Sequence, residues 1–207
     1  MRARLAALPV LLAAGCGSAA PGDLPPPAQP ARSPALEERP AGRTLVLDRG
    51  ALAGHAHGTT RTSLGARVAA VDARGRELVV RDAATGARLD HAPAGVGPTH
   101  VVSDGGRRLF VVDTEGDGLL LFELRPRLEL IRRVALPGSP YGIAIDRRRH
   151  RLWVTLTAMN RLVEVTANGR PRPLRTLPSI RQPNAVGVDE RTGRVVVIGD
   201  RVQIVEP

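Results

Sequence analysis

Gly97-Pro-Thr-His-Val-Val-Ser-Asp104, Ser139-Pro-Tyr-Gly-Ile-Ala-Ile-Asp146 and Gln182-Pro-Asn-Ala-Val-Gly-Val-Asp189 are one phrase written three times. Pro98 and Pro140 stand 42 positions apart, Pro140 and Pro183 stand 43 apart, and an aspartate follows each proline by six residues. After each aspartate comes an apolar run: Leu109-Phe-Val-Val112, Leu152-Trp-Val-Thr155 and Val195-Val-Val-Ile198. A fourth copy lies upstream, where Arg67-Val-Ala-Ala-Val-Asp72 and Leu78-Val-Val80 match Arg108-Leu-Phe-Val-Val-Asp113 and Leu119-Leu-Leu121 at an offset of 41. Its proline-led first strand, near His57 to Ser63, is degenerate. Self-similarity at such a period marks an array of supersecondary units, each burying its apolar faces only against its neighbours.

Within one unit the pattern is four short strands. In the second unit they are His100–Ser103, Leu109–Asp113, Leu119–Leu124 and Leu128–Val134, separated by Asp104-Gly-Gly-Arg, Thr114-Glu-Gly-Asp-Gly and Arg125-Pro-Arg. Gly and Pro at the breaks and β-branched runs between them suit strands rather than helices. A four-stranded antiparallel unit at this period is a propeller blade. The expected fold is therefore all-β: a β-propeller of about four blades following a disordered N-terminal tether.

The unit, a Gly, Ser or Gln before the proline and an Arg-led apolar strand after the aspartate, resembles the NHL and YncE-like propeller repeats of exported bacterial proteins. The likeness runs from about residue 57 to 207. It implies blades whose first strands line a central channel, and it says little about chemistry. Such propellers have six or seven blades, whereas residues 43–207 hold material for about four. The last unit stops after Val202-Gln-Ile-Val205, and Thr44-Leu-Val-Leu-Asp48 is positioned in sequence to supply its missing outer strand and hide the edge. A closed four-bladed ring, an open arc, and two chains completing a larger ring, hence an oligomer, all stay open.

The N-terminus reads differently. Met1-Arg-Ala-Arg4 is a short positive region, and Leu5 to Ala14 is an apolar run too short to span a bilayer. Leu12-Ala-Ala-Gly-Cys16 resembles the lipobox of bacterial lipoproteins, with Ala13 where Leu is usual. The resemblance implies a signal peptide over 1–15, a diacylglycerol-type lipid (palmitate among its acyl chains) on Cys16, and a protein held outside the cytoplasm at the cell membrane. The competing reading is an ordinary secretory peptide cut near Ala19-Ala20, which leaves the protein secreted. Residues 16–42 are rich in Pro, Ala and Ser. At ~3.1 Å per residue such a linker could hold the propeller domain, residues 43–207, up to about 80 Å from the membrane.

Aromatic residues are only 2% of the chain, so any core is built from Val, Leu, Ile and Ala. All 30 basic residues are arginine and the formal net charge is +10, which favours anionic surfaces. No helix-turn-helix, ribonucleoprotein or zinc spacing points to nucleic acid. One cysteine excludes an internal disulfide.

Alternate turns of an antiparallel blade emerge on opposite faces. One face is thereby expected to collect Arg107, Arg108, Arg125, Arg127, Arg147, Arg148, Arg149, Arg151, Arg170, Arg172, Arg191 and Arg194. Among these, Arg107, Arg108, Arg147, Arg148, Arg149, Arg151, Arg191 and Arg194 are the candidates for an anionic envelope polymer, lipid headgroups or a partner protein. The bland alternative is solvated turn arginine. On the other face, His100, Tyr141 and Asn184 stand at equivalent starts of first strands and are the ligand candidates at a channel mouth. His55 and His57, in Gly54-His-Ala-His-Gly58, are weak metal candidates at a strand-like spacing.

The repeated Asp104, Asp146 and Asp189 fit a turn-forming role. No nucleophile elbow, phosphate loop or dinucleotide fingerprint is present, and no cofactor is expected. The sequence favours a non-catalytic binding or scaffold module. The alternative is a propeller enzyme, lactonase- or lyase-like, with His100 at the channel mouth.

Overall fold

The structure, a computed structural model, describes residues 26–46 and 60–206. Among these residues sixteen strands form four antiparallel sheets of four, each a blade. The first blade holds β2 (Arg61–Leu64), β3 (Arg67–Asp72), β4 (Glu77–Asp82) and β5 (Arg88–Pro93). The second holds β6 (Pro98–Ser103), β7 (Arg108–Asp113), β8 (Gly118–Leu124) and β9 (Leu128–Ala135), and the third holds β10 (Pro140–Asp146), β11 (Arg151–Leu156), β12 (Arg161–Thr166) and β13 (Pro173–Pro178). The fourth is composite. Its inner strands are β14 (Ala185–Val188), β15 (Val195–Ile198) and β16 (Val202–Val205), and its outer strand is β1 (Arg43–Leu45). Arg43 pairs with Ile204 and Leu45 with Val202, so the N-terminal strand completes the last blade as the sequence suggested.

Side chains alternate across a strand, and the two middle blades are apolar on both sides. Along β7, Leu109 and Val111 join Leu78 and Val80 in the core between the first and second blades. The intervening Phe110 and Val112 join Ile143, Ile145, Leu152 and Val154 in the core between the second and third. Trp153 and Leu162 face Val195, Val197 and Val205 across the third junction. Gly142 matters there: a Cβ on it would meet Ala185 Cα and the Asn184 carbonyl oxygen, each at 3.1 Å, so its lack of a side chain lets β10 approach β14.

Among the described residues these three cores join the four blades, and no fourth joins the last blade to the first. The register supplies a reason. The free face of the first blade carries the rows Ser63, Val68, Arg81, Arg88 and Arg61, Ala70, Val79, His91. The free face of the fourth carries Val196, Ile204, Arg43 and Ile198, Val202, Leu45. The first face carries three arginines, and the second is largely apolar apart from Arg43, so pressing them together would strip water from the Arg61, Arg81 and Arg88 guanidinium groups. The arrangement described is an arc.

The segment expected to be an extended linker differs from that expectation in its second half. Residues 26–42 lie against the arc, crossing from the second blade to the fourth. Ala28 is 6% exposed beside Gly97, and Ser33 is 5% exposed. Cys16, the signal peptide, and His55 and His57 fall outside the described residues.

Candidate functional site

The face where the first strands begin also receives every turn between second and third strands, because strands run up and down in alternation. His100 and Tyr141 come together here. His100 Nδ1 lies 2.8 Å from the Tyr141 carbonyl oxygen, and the two rings meet edge to face at 4.7 Å between centroids. His100 is only 4% exposed. Burial pushes the Tyr141 phenol above its ordinary pKa of 10.0, so it stays a neutral donor at physiological pH. Asn184 is engaged elsewhere, its Oδ1 accepting a hydrogen bond from Gln182 Nε2 at 3.1 Å.

Gln182 explains that diversion. Its side chain reads the backbone of the arm in both directions: Ser33 N donates to Gln182 Oε1 (3.1 Å), and Gln182 Nε2 donates to the Ala31 carbonyl (2.8 Å). Ser33 Oγ accepts from Gln182 N (2.9 Å) and donates to the Thr157 carbonyl (2.6 Å). Thr157 Oγ1 accepts from Ala31 N (3.1 Å), and Asn160 Nδ2 donates to the Pro34 carbonyl (3.1 Å). Further on, Glu38 pairs with Arg161. At the arm's end, Gln203 Nε2 donates to the Ala41 carbonyl (2.8 Å), while Ala41 N donates to the Pro178 carbonyl (2.9 Å). The hydrogen bond from Arg161 holds the Glu38 carboxyl below the usual carboxylate range. Most of these contacts engage arm backbone, so small Ala, Ser and Pro residues suffice on the arm side.

Between the arm and the third blade lies a cavity of about 180 Å³, lined by Leu36, Met159, Asn160, Arg161, Pro178 and Ser179 among others. That is below the ~300–1,000 Å³ of ordinary small-molecule sites. Asn160 Oδ1 is buried there without a partner. An open groove lined by Arg88, Leu89, Asp90, His91, Pro126 and Arg127 runs along the outer strands of the first two blades, away from the mouth. Among the described residues, no three His, Cys, Asp or Glu side chains gather as metal ligands.

On the opposite face the candidate arginines fall into two groups. Arg147 pairs with Glu190 (2.6 Å), Arg149 with Asp146 (3.0 Å), Arg151 with Glu164 (3.0 Å) and Arg194 with Glu206 (3.0 Å). Arg191 stands 4.0 Å from Asp189. Arg108 reaches across a blade junction to the carbonyl of Gly169 (3.2 Å), and Arg147 Nε reaches the Ser103 carbonyl (3.1 Å). These bridges bring the turns of Arg107, Arg148 and Arg170 together. Among the described residues those three exposed side chains have no carboxylate partner.

The repeated aspartates do fold their turns. Asp104 accepts from Gly106 N (2.8 Å), Asp146 from Arg149 N (3.0 Å) and Asp189 from Arg191 N (2.9 Å). A hydrogen bond from the Thr192 hydroxyl is the main reason the Asp189 carboxyl titrates below its usual range. Sequence reading passed over Asp113, which is fully buried. Its Oδ1 accepts from Val96 N and Gly97 N, and its Oδ2 from Arg133 (3.0 Å). The signal was an acidic residue closing an otherwise apolar strand.

No family model and no curated protein matches the chain. Solved structures do. The β-propeller domain of Cps50 (Swd1) from Myceliophteria thermophila is 16% identical with a TM-score of 0.59, covering 72% of this chain and 52% of its own. A protein from Lactobacillus plantarum is 19% identical with a TM-score of 0.60, covering 69% and 47%. A putative 6-phosphogluconolactonase from Bacteroides uniformis is 14% identical with a TM-score of 0.58, covering 68% and 46%. The chain spans about half the length of these structures. At such identities the likeness establishes a β-propeller fold, and it is shared by proteins of mixed function.

Proposed function

We propose that this is an exported, lipid-anchored β-propeller related to the NHL and YncE-like repeat proteins, acting as a non-catalytic binding module. The observation that carries this reading is a set of exposed arginines, Arg107, Arg148 and Arg170, without a carboxylate partner among the described residues, on turns that the Arg108–Gly169 and Arg147–Ser103 bridges join. Guanidinium groups fixed by blade turns suit multivalent recognition of phosphate or carboxylate oxygens through paired N–H donors. The mouth favours this reading over an enzyme. His100 is buried against Tyr141, and Asn184 is engaged by the residue that holds the arm. The lipid anchor rests on Cys16 and its setting after a short apolar run. No helix among the described residues is long and apolar enough to cross a membrane.

The test is binding of long-chain inorganic polyphosphate to the purified protein at increasing salt. Affinity falling steeply with salt, and lost in Arg107→Glu/Arg148→Glu/Arg170→Glu, supports the reading. Binding unaffected by salt or by the triple reversal overturns it.

A further inference from the structure

Beneath the arm, the cavity of about 180 Å³ presents a buried acceptor that nothing satisfies. Asn160 follows the single helical turn Thr157–Met159 in the left-handed conformation (φ 51°, ψ 51°), which asparagine tolerates. Its carbonyl accepts from Ser179 N at 2.8 Å, which fixes the residue against the third blade. Asn160 is 6% exposed, and its Nδ2 donates to the carbonyls of Pro34 (3.1 Å) and Ala35 (3.5 Å). Two carbonyls facing one atom identify that atom as the nitrogen, because the flipped amide would set oxygen against oxygen. Oδ1 is therefore the atom left over, buried and without a partner.

The neighbouring donors are already committed. Ser179 gives its N–H to Asn160 and its hydroxyl proton to Gln203 Oε1 (2.7 Å). Arg161 is engaged by Glu38, and Glu37 lines the same cavity, so the lining carries an excess of negative charge. Leu36 and Met159, 37% and 50% exposed, supply apolar walls at the open side.

We infer that this cavity binds a small primary amine in its ammonium form, with one N–H donated to Asn160 Oδ1, the charge facing Glu37 and a short aliphatic stem against Leu36 and Met159. An ammonium group offers three donors and no acceptor, which complements a lining whose free polar capacity is acceptor. An anion would meet two carboxylates, and a quaternary ammonium brings charge without an N–H. The volume limits the ligand to a handful of heavy atoms, and so few atoms limit the affinity to the millimolar range. The site lies on the mouth face and depends neither on the lipid anchor nor on the arginines of the opposite face.

The experiment titrates n-propylammonium chloride into the isotopically labelled full chain at constant ionic strength, read by nuclear magnetic resonance. The Asn160 side-chain amide signal is assigned by its disappearance in Asn160→Ala, with Trp153 emission reporting that this variant is folded. In the unaltered chain that signal, with the backbone amides of Glu37 and Met159, should shift saturably with a millimolar midpoint. Tetramethylammonium, which has the charge but no donor, and n-propanol, which has a donor but no charge, should each bind about tenfold more weakly or worse. Glu37→Gln should weaken n-propylammonium about threefold, the scale of a partly exposed charge pair. No saturable shift up to about 100 mM amine would overturn the site and leave Oδ1 to water. Equal binding of tetramethylammonium or n-propanol, or an affinity unchanged in Glu37→Gln, would overturn its assignment to a primary ammonium.

Discussion

β6 and β2 hold the same place in successive blades, yet β6 is buried at all six positions while β2 alternates between exposed and half-buried. The same contrast separates β10, buried at six of its seven positions, from β14, buried at one of four. A blade between two neighbours must be apolar on both faces; a blade at the end of an arc needs only one. Leu109-Phe-Val-Val112 satisfies the first requirement, whereas Val68, Ala70 and Arg81 on the free side of the first blade do not. Burial in a propeller is therefore set by position in the array as much as by the repeat itself.

The sharpest way to break the contrast is a pair of truncations. Phe110→Ala in the second blade should cost about 3–5 kcal/mol, the usual penalty for emptying a fully buried aromatic site. Val196→Ala on the free face of the fourth blade should cost about 0.5–1 kcal/mol. Urea unfolding followed by Trp153, buried between the third and fourth blades, reads both. Similar costs would mean the fourth blade is covered after all.

Asp113→Ala should come next, at about 2–3 kcal/mol, because several backbone N–H groups and Arg133 lose their buried acceptor. Asp189→Ala, the exposed turn aspartate of the fourth blade, should be much milder by the same unfolding measurement.

Smaller again is the arm. Gln182→Ala should cost about 1–2 kcal/mol, by loss of hydrogen bonds in a part-buried site, and should speed amide exchange at Ala31 and Ser33. Unchanged exchange there would mean that the arm is held by something other than Gln182.

The smallest expected effect is a pH response of the arm. The folded-state pKa of Glu38 is lowered, so its contribution is fully present above the ordinary glutamate value of 4.5 and is lost as pH falls through the depressed value. Exchange at Ala35 should therefore accelerate, beyond the intrinsic rate, only in acid well below that value. Glu38→Gln should remove the response.

The repeat made the blades legible. Prolines at a fixed spacing, an aspartate closing each first strand and apolar runs placed β6 to β11, β15 and β16 within a residue or two, and residues 44–48 pointed to the outer strand of the last blade. The arm was not legible for a physical reason. Its binding is written in Thr157, Asn160, Gln182 and Gln203, which bond to its backbone, so its own Ala, Ser and Pro residues carry a composition that elsewhere means disorder. The mouth was half legible. Repeat equivalence brought His100 beside Tyr141, but that logic does not see Gln182, two residues before Asn184, which redirects it. The charge on the turns could be counted in the sequence. Its neutralisation could not, because partners such as Glu190 and Arg147 belong to different blades.

Hydrogen exchange resolved to the four inner strands tests the arc most directly. Three cores for four blades predict slow exchange in residues 98–103 and 140–146 and markedly faster exchange in 61–64 and 185–188. Equal protection across all four strands, as a ring closed by a fourth core would give, would contradict it.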